Sequence, residues 1–289
     1  MSEARPFASQ TGKSPSEKKR VTLRDVAEEA LKTASNVINH TGRMTDATRE
    51  KVQKVVDRLG YRINVSARNL NRGRTGFITL AVPCLTAPYL AGLANRVIDA
   101  ARIYGYSVYV TTYAEGTSRG AASLLRNFNA TVSDGMILSL SEMEDLTPED
   151  LSVDFPLVCV GARFTHHKAD HVTPDDVQSA RLATEYLLDR GVSRPAVVGS
   201  RTDFAQLSTL RDVTEGNAQL RMRGVFEACC DRNIALATEL MPNVGHDWSI
   251  GSGARNMQRI IDSGVPFDGV IALNDQLAMG ALSTLAANG

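Results

Sequence analysis

Apolar residues follow two different rhythms along this chain. Between residues 22 and 59 they recur at helical spacing. Leu23, Val26, Ala27, Ala30, Leu31, Ala34, Val37 and Ile38 form one stripe, and Val52, Val55, Val56 and Leu59 form another. Thr22 with Asp25 resembles a capping box, Thr45 fits an N-cap for the second stripe, and Gly60 fits its stop. From residue 78 onward, short apolar runs alternate with amphipathic segments. The runs at 78–82, 107–112, 135–140, 157–160, 196–199, 235–240 and 269–273 predict strands. The segments at 89–104, 120–128, 179–189, 220–232, 253–263 and 276–287 predict helices. Such alternation implies parallel sheets with helices on both faces. The strand count suits two Rossmann-like lobes with a cleft between them, and ligands of such sheets sit beyond the carboxyl ends of the strands.

The expected class is therefore α/β, with a small all-helical head and two lobes. Residues 1–20, rich in Ser, Pro, Lys and Glu, predict a disordered tail. The head spans 21–63, a short hinge helix and linker 64–76, the first lobe 77–173 and the second 174–289.

Charge sharpens this division. The net charge is zero, but residues 1–74 carry 16 Lys and Arg against 8 Asp and Glu, while the rest carries 16 against 24. A basic nucleic-acid-binding head on an acidic body explains the split, the alternative being an ordinary solvated helical surface. Cys84, Cys159, Cys229 and Cys230 lack Cys-x-x-Cys spacing, so neither a metal site nor a disulfide framework is expected. The N-terminus has no apolar stretch of signal-peptide type, and no apolar run approaches the ~20 residues that span a bilayer. A cytoplasmic protein without membrane contact is expected. No Gly-x-Gly-x-x-Gly follows a strand and no phosphate-loop Gly-Lys-Ser occurs, which disfavours a nucleotide enzyme. His166 and His167 are adjacent in a polar loop without catalytic spacing, so no catalytic residue and no cofactor is nominated.

Several segments resemble the lactose-repressor (LacI/GalR) family from Val21 to the end. The head reads VTLRDVAEEA, then TASNVINHTGRMTDATREKVQKVVDRLGYRINVSARNL. The body opens TGFITLAVPCLTAPYLAGL and later carries RGV at 190–192, HDWS at 246–249 and DGVIALNDQLAMGAL at 268–282. The resemblance implies a homodimer, a palindromic operator and a small effector, often a sugar, that changes operator affinity. It nominates Thr33, Ser35, Asn36 and Asn39, with neighbouring Lys32, for the DNA-reading helix, where small polar side chains meet base edges and phosphates. Thr45, Thr48 and Tyr61 match phosphate-contacting positions. Asn64, Ala67 and Leu70 match a hinge helix whose Leu can wedge into the minor groove; a short packed helix is the alternative. For the effector it points to Tyr89 and Arg221, to which the sequence adds Trp248, the only Trp, in a polar loop, and Asn274 at a strand's carboxyl end. Asp175 or Asp176 supplies a further acceptor, the register leaving Asp175 as the nominee. Core packing is the alternative for Tyr89 and Trp248, a surface ion pair for Arg221.

The sequence departs from the family pattern at three places. Only Leu31 and Lys32 stand between Ala30 and Thr33, three residues fewer than the usual turn. The uninterrupted stripe then predicts one helix over 23–39, roughly 25 Å long, which would impair operator binding because a straight rod cannot enter the groove as a helix-turn-helix does. An abrupt turn at Leu31-Lys32 is the competing possibility. Ile63 replaces the usual Pro before the hinge. Finally, the family pattern continues past Gly289 with a last strand and a returning segment; either the sequence is a fragment, or a second lobe of about three strands, unstable or lobe-swapped, with low thermal stability and weak effector affinity, is expected. The functional expectation is a sugar-controlled DNA-binding transcriptional regulator, which the family resemblance makes a repressor; a dimer that does not read DNA, or a ligand-binding module of periplasmic type, is the competitor.

Overall fold

The computed structural model describes residues 21, 23–30, 34–38, 45–61, 74–117, 119–201 and 207–289. The chain divides into two units, Met1–Arg74 and Thr75–Gly289. In the first unit, α1 spans Leu23–Ala30, α2 Ala34–Ile38 and α3 Asp46–Leu59. Thr45 caps α3 by accepting the Thr48 N–H, and Gly60 ends it in the left-handed region at φ 61°.

The expected single helix over 23–39 is not formed. α1 and α2 are separate helices that pack on each other and on α3, which a straight rod could not do. The cause is tertiary: Val26 on α1, Ala34 and Val37 on α2, and Val52 and Val55 on α3 close one buried core. For helices this short, such burial outweighs the local tendency to continue.

The second unit contains two parallel sheets. Strands β1 (Phe77–Val82), β2 (Ser107–Thr112), β3 (Met136–Ser139), β4 (Leu157–Val160) and β5 (Asp170–Val172) make the first, in the order β2-β1-β3-β4-β5. The chain leaves β1 through α4 (Pro88–Ile103) toward β2, and β3 lies on the other side of β1. The strand order therefore reverses beside β1, where a crevice opens at the carboxyl ends. Leu80 and Val82 face Leu90 and Ala94 of α4, whereas Ala81, Leu138 and Cys159 face Ala121 and Leu125 of α5 (Ala121–Arg126). Strands buried on both faces explain the continuous apolar runs.

The second sheet pairs β6 (Pro195–Val198) with β7 (Gly269–Ala272). Alternation separates its two faces. Val197 and Ile271 meet α6 (Asp176–Leu188) and α7 (Asn217–Asp231), and Ala196 and Val198 meet α8 (Ile250–Asp262) and α9 (Asp275–Asn288). One residue ties the strand starts together. The Asp268 carboxylate, just before β7, accepts the Ser193 N–H, the Ser193 hydroxyl at 2.7 Å and the Arg194 N–H at 2.7 Å, just before β6. These donors, the Ser193 hydroxyl foremost, hold its pKa below the ordinary value.

Two elements differ from expectation. The segment 235–240 ends in a 3-10 turn at Thr238–Leu240, not a strand. Its apolar character serves two cores, with Leu236 on one and Ala237 and Leu240 on the other. β5 was not anticipated because all three of its residues are exposed. Two strands rather than three thus make the second sheet among the described residues.

Tyr113 fixes the exit of β3. Its buried hydroxyl donates to the Ser139 carbonyl at 2.6 Å and accepts the Ser141 N–H at 3.2 Å. Burial pushes its pKa up. Tyr113→Phe is expected to lower stability by about 1–2 kcal/mol in a urea melt, since the Ser141 N–H loses its acceptor; an unchanged midpoint would refute this.

Candidate functional site

The carboxyl ends of the strands bring charged and polar side chains to one region of the body. Tyr89 follows β1, Glu142 follows β3, Arg163 follows β4, Asp175 follows β5, Arg201 follows β6 and Asn274 follows β7.

Arg221, on the second turn of α7, is the centre of one cluster. Its Nε donates to Asp176 Oδ1 at 2.7 Å and its Nη1 to the Leu273 carbonyl at 2.6 Å. Asp176 is buried and also accepts from Asn217 Nδ2 at 3.1 Å. The Arg221 guanidinium carbon lies 5.4 Å from the centroid of the Trp248 ring, a cation–π distance. Asn274 Nδ2 donates to the Trp248 carbonyl at 3.2 Å, while its Oδ1 caps α9 by accepting the Leu277 N–H at 2.7 Å. The loop carrying Trp248 is pinned in turn. Asp247 accepts the Ser249 N–H at 3.1 Å and pairs with Arg255 at 2.9 Å, and Ser249 caps α8. The Ser249 hydroxyl first, then its N–H and Arg255, hold the Asp247 pKa low.

Three of the five residues expected at an effector site, Arg221, Trp248 and Asn274, are thus joined. Arg221 is held in a partly buried ion pair, not a loose surface one. Trp248 is half-buried and packs on both cores of the second sheet, so part of the residue stays accessible beside its packing. Tyr89 stands 65% exposed on the first turn of α4, not in the core. Of the two aspartates whose register was ambiguous, Asp176 is the partner of Arg221. Asp175 is the N-cap of α6, accepting the Gln178 N–H at 2.9 Å, and lines a cavity of about 370 Å³ together with Arg163, Phe164, His171 and Leu220.

Sequence reasoning missed the residues that connect the two halves of the body. Glu142 accepts the Ala218 N–H at 2.9 Å with one oxygen and meets Arg201 Nη2 at 2.7 Å with the other. Arg163 pairs with Glu215 at 3.2 Å, and the Gly216 N–H donates to the Ala162 carbonyl at 2.7 Å. The available signal was a charged residue immediately beyond a strand, as at Arg163 and Arg201.

In the head, Asn36 lies exposed on α2, and Thr45 and Thr48 stand at the N-terminus of α3 with hydroxyls 2.9 Å apart. Tyr61 packs partly against the helical core. Ser35 belongs to α2. Lys32, Thr33, Asn39, Asn64, Ala67 and Leu70, like the tail 1–20, lie outside the described residues. Among the described residues, no cluster of His, Cys, Asp and Glu is arranged to hold a metal, and no helix is long and apolar enough to cross a membrane.

Residues 75–289 match the family described as periplasmic binding proteins and sugar binding domain of LacI family, and residues 22–64 match the bacterial regulatory proteins, lacI family. The ribose operon repressor of Halalkalibacterium halodurans is 27% identical over 90% of this chain and 74% of its own length. A solved LacI-family regulator from Sanguibacter keddieii is 34% identical, with a TM-score of 0.62 over 75% of this chain and 73% of that one. The operator-bound lac repressor dimer, 22% identical, shares the fold with a TM-score of 0.76 over 94% of this chain and 79% of its own.

Proposed function

We propose, from the premise that this chain belongs to the LacI family of bacterial regulatory proteins, that it is a transcriptional repressor in which a small carbohydrate bound between the halves of the body controls the grip of the head on operator DNA. The observation that carries this reading is the joining of Asp176, Arg221, Trp248 and Asn274 around one locus beyond the strand ends. A guanidinium held by its own carboxylate gives directed hydrogen bonds to sugar oxygens, and the indole face beside it suits the C–H face of a sugar ring.

For the head, separate α1 and α2 helices allow α2 to enter the major groove with Ser35, Asn36 and the segment around Thr33 and Asn39. Asn36 offers the donor and acceptor that an adenine edge requires. Thr45 and Thr48 sit at a helix N-terminus, a natural seat for a phosphate. Residues 64–70 would supply the hinge contacts. The competing reading of a dimer unable to read DNA rested on a fused helix over 23–39, which α1 and α2 do not form.

The chain would act as a homodimer in the cytoplasm, on a palindromic site. Ile250 at the start of α8 and Met279 and Leu282 on α9 are exposed apolar side chains, which a second copy of the chain would cover.

The test is selection of the full-length protein on a random duplex pool. Enrichment of sequences with dyad symmetry is expected. Asn36→Ala should relax preference at one position of each half-site, at a cost of about 1–3 kcal/mol in discrimination. Enriched sites without symmetry, or no enrichment at all, would refute the reading.

A further inference from the structure

Every arginine described around the cleft already has a carboxylate of the protein. Arg221 is paired with Asp176 at 2.7 Å, Arg201 with Glu142 at 2.7 Å and Arg163 with Glu215 at 3.2 Å. Asp175, exposed beside the cavity, adds a negative charge. A phosphate or carboxylate on a ligand would therefore meet committed cations and nearby anions.

Arg201 is the most informative of the three. Its side chain is only 8% exposed and that of Glu142 only 17%. Burial makes an uncompensated guanidinium costly, so its partner cannot be given up cheaply. Glu142 comes from the other half of the body and is itself anchored by the Ala218 N–H on the first turn of α7, one turn before Arg221. Arg201 Nη2 also donates to His246 Nδ1, in the loop that carries Trp248. The pair thus adjoins the Arg221–Trp248 cluster through both α7 and that loop. One buried donor is unmatched: Arg201 Nε has no hydrogen-bond partner among the described residues. A buried N–H of this kind is costly to leave unmade. A hydroxyl or ring oxygen can satisfy it without disturbing Glu142, because it brings no charge to compete for the guanidinium.

We propose that the cleft is selective for uncharged, polyhydroxylated ligands, that Glu142 is the residue which excludes their phosphorylated counterparts by neutralising Arg201, and that Arg201 Nε is offered to a ligand oxygen. This rests on the reading of the cleft as a carbohydrate site and adds the charge class of the ligand.

The experiment is calorimetric titration of the full chain with matched pairs: ribose and ribose 5-phosphate, glucose and glucose 6-phosphate, with cellobiose and maltose as larger neutral sugars. In the wild type, a neutral sugar binds and its phosphorylated counterpart binds at least roughly tenfold more weakly. In Glu142→Gln, which keeps an acceptor for the Ala218 N–H, the gap closes or reverses because Arg201 is freed to meet the phosphate. Glu142→Asp preserves the gap, and Glu142→Gln combined with Arg201→Gln restores it. Arg201→Gln alone weakens neutral-sugar binding while leaving phosphates excluded, which keeps the idea testable should Glu142→Gln fail to fold. Tighter binding of a phosphorylated sugar by the wild type, or an unchanged gap in folded Glu142→Gln, would overturn the proposal. Binding of no sugar in either charge state would instead overturn the carbohydrate reading, and this proposal with it.

Discussion

Replacing Gly280 by alanine is expected to destabilise the second half of the body by roughly 3 kcal/mol. A Cβ built on Gly280 would lie 2.1 Å from the Ile250 carbonyl oxygen and 2.5 Å from the Ala254 nitrogen. These are backbone atoms of α8, so no side chain can swing away to make room. The contact is reciprocal, since a Cβ on Gly253 of α8 would fall 2.4 Å from the Leu277 carbonyl oxygen on α9. The two helices approach so closely only because neither bears a side chain where they cross. Gly280→Ala must push them apart, and this loosens Met257, Ile260 and Leu277, all fully buried between the helices and the second sheet. Gly92→Ala on α4 serves as the control. Its Cβ meets nothing within 4 Å, and better helix propensity should make it neutral or stabilising by about 0.5–1 kcal/mol. Thermal and urea melts of the two variants check this, and similar midpoints for both would show that the helix crossing tolerates a methyl group.

Asp176→Ala is expected to cost about 3 kcal/mol of stability and to lower effector affinity roughly tenfold to a hundredfold. The stability term comes from leaving Arg221 and Asn217 without the acceptor that both share. It lies at the low end for a broken buried pair because the Arg221 side chain is 27% exposed and water can reach it. The affinity term has a separate origin. Arg221 links the start of α6 to the Leu273 carbonyl at the end of β7, and a guanidinium released from Asp176 has to be re-ordered whenever a ligand binds. Asp176→Asn should separate the two effects, retaining shape and much of the stability while still weakening the ligand. Denaturation combined with calorimetric titration of both variants would check this; affinity equal to the wild type in both would remove Arg221 from the effector site.

The body was legible from the sequence because its central strands β1, β3 and β6 are largely buried on both faces and its helices repeat at 3.6. Helix starts were placed about one turn late at α6, α7 and α8. Asp175 and Ser249 show why: the capping turn is polar, and the apolar period begins only after it. The exposed strand β5 carries no alternation to detect. The split of α1 from α2 is invisible locally because Val26, Ala34 and Val37 keep helical spacing whether or not the chain turns between them, and only the buried valines of α3 decide. At the site, Arg221, Trp248 and Asn274 were reached through family resemblance and position. Glu142 and Arg201 were not: a charged residue beyond a strand marks each position, but nothing along the chain says which strand ends in different sheets will pair.

The carboxylate of Asp268 has a bearing on how the chain finds its structure. Ala196, Val197 and Val198 all meet apolar surroundings, so sliding β6 by one residue would exchange one greasy face for another with little loss of burial. Polarity therefore supplies almost no information about which residue of β6 belongs opposite which residue of β7. Asp268 supplies it, by gripping Ser193 and Arg194 at sequence separations of 75 and 74. The correct alignment must be searched for after a long loop has closed, a slow kind of event. On this view Asp268 is a proofreading element: it contributes less to the depth of the native basin than to the fraction of chains that enter it without first settling one step out of frame.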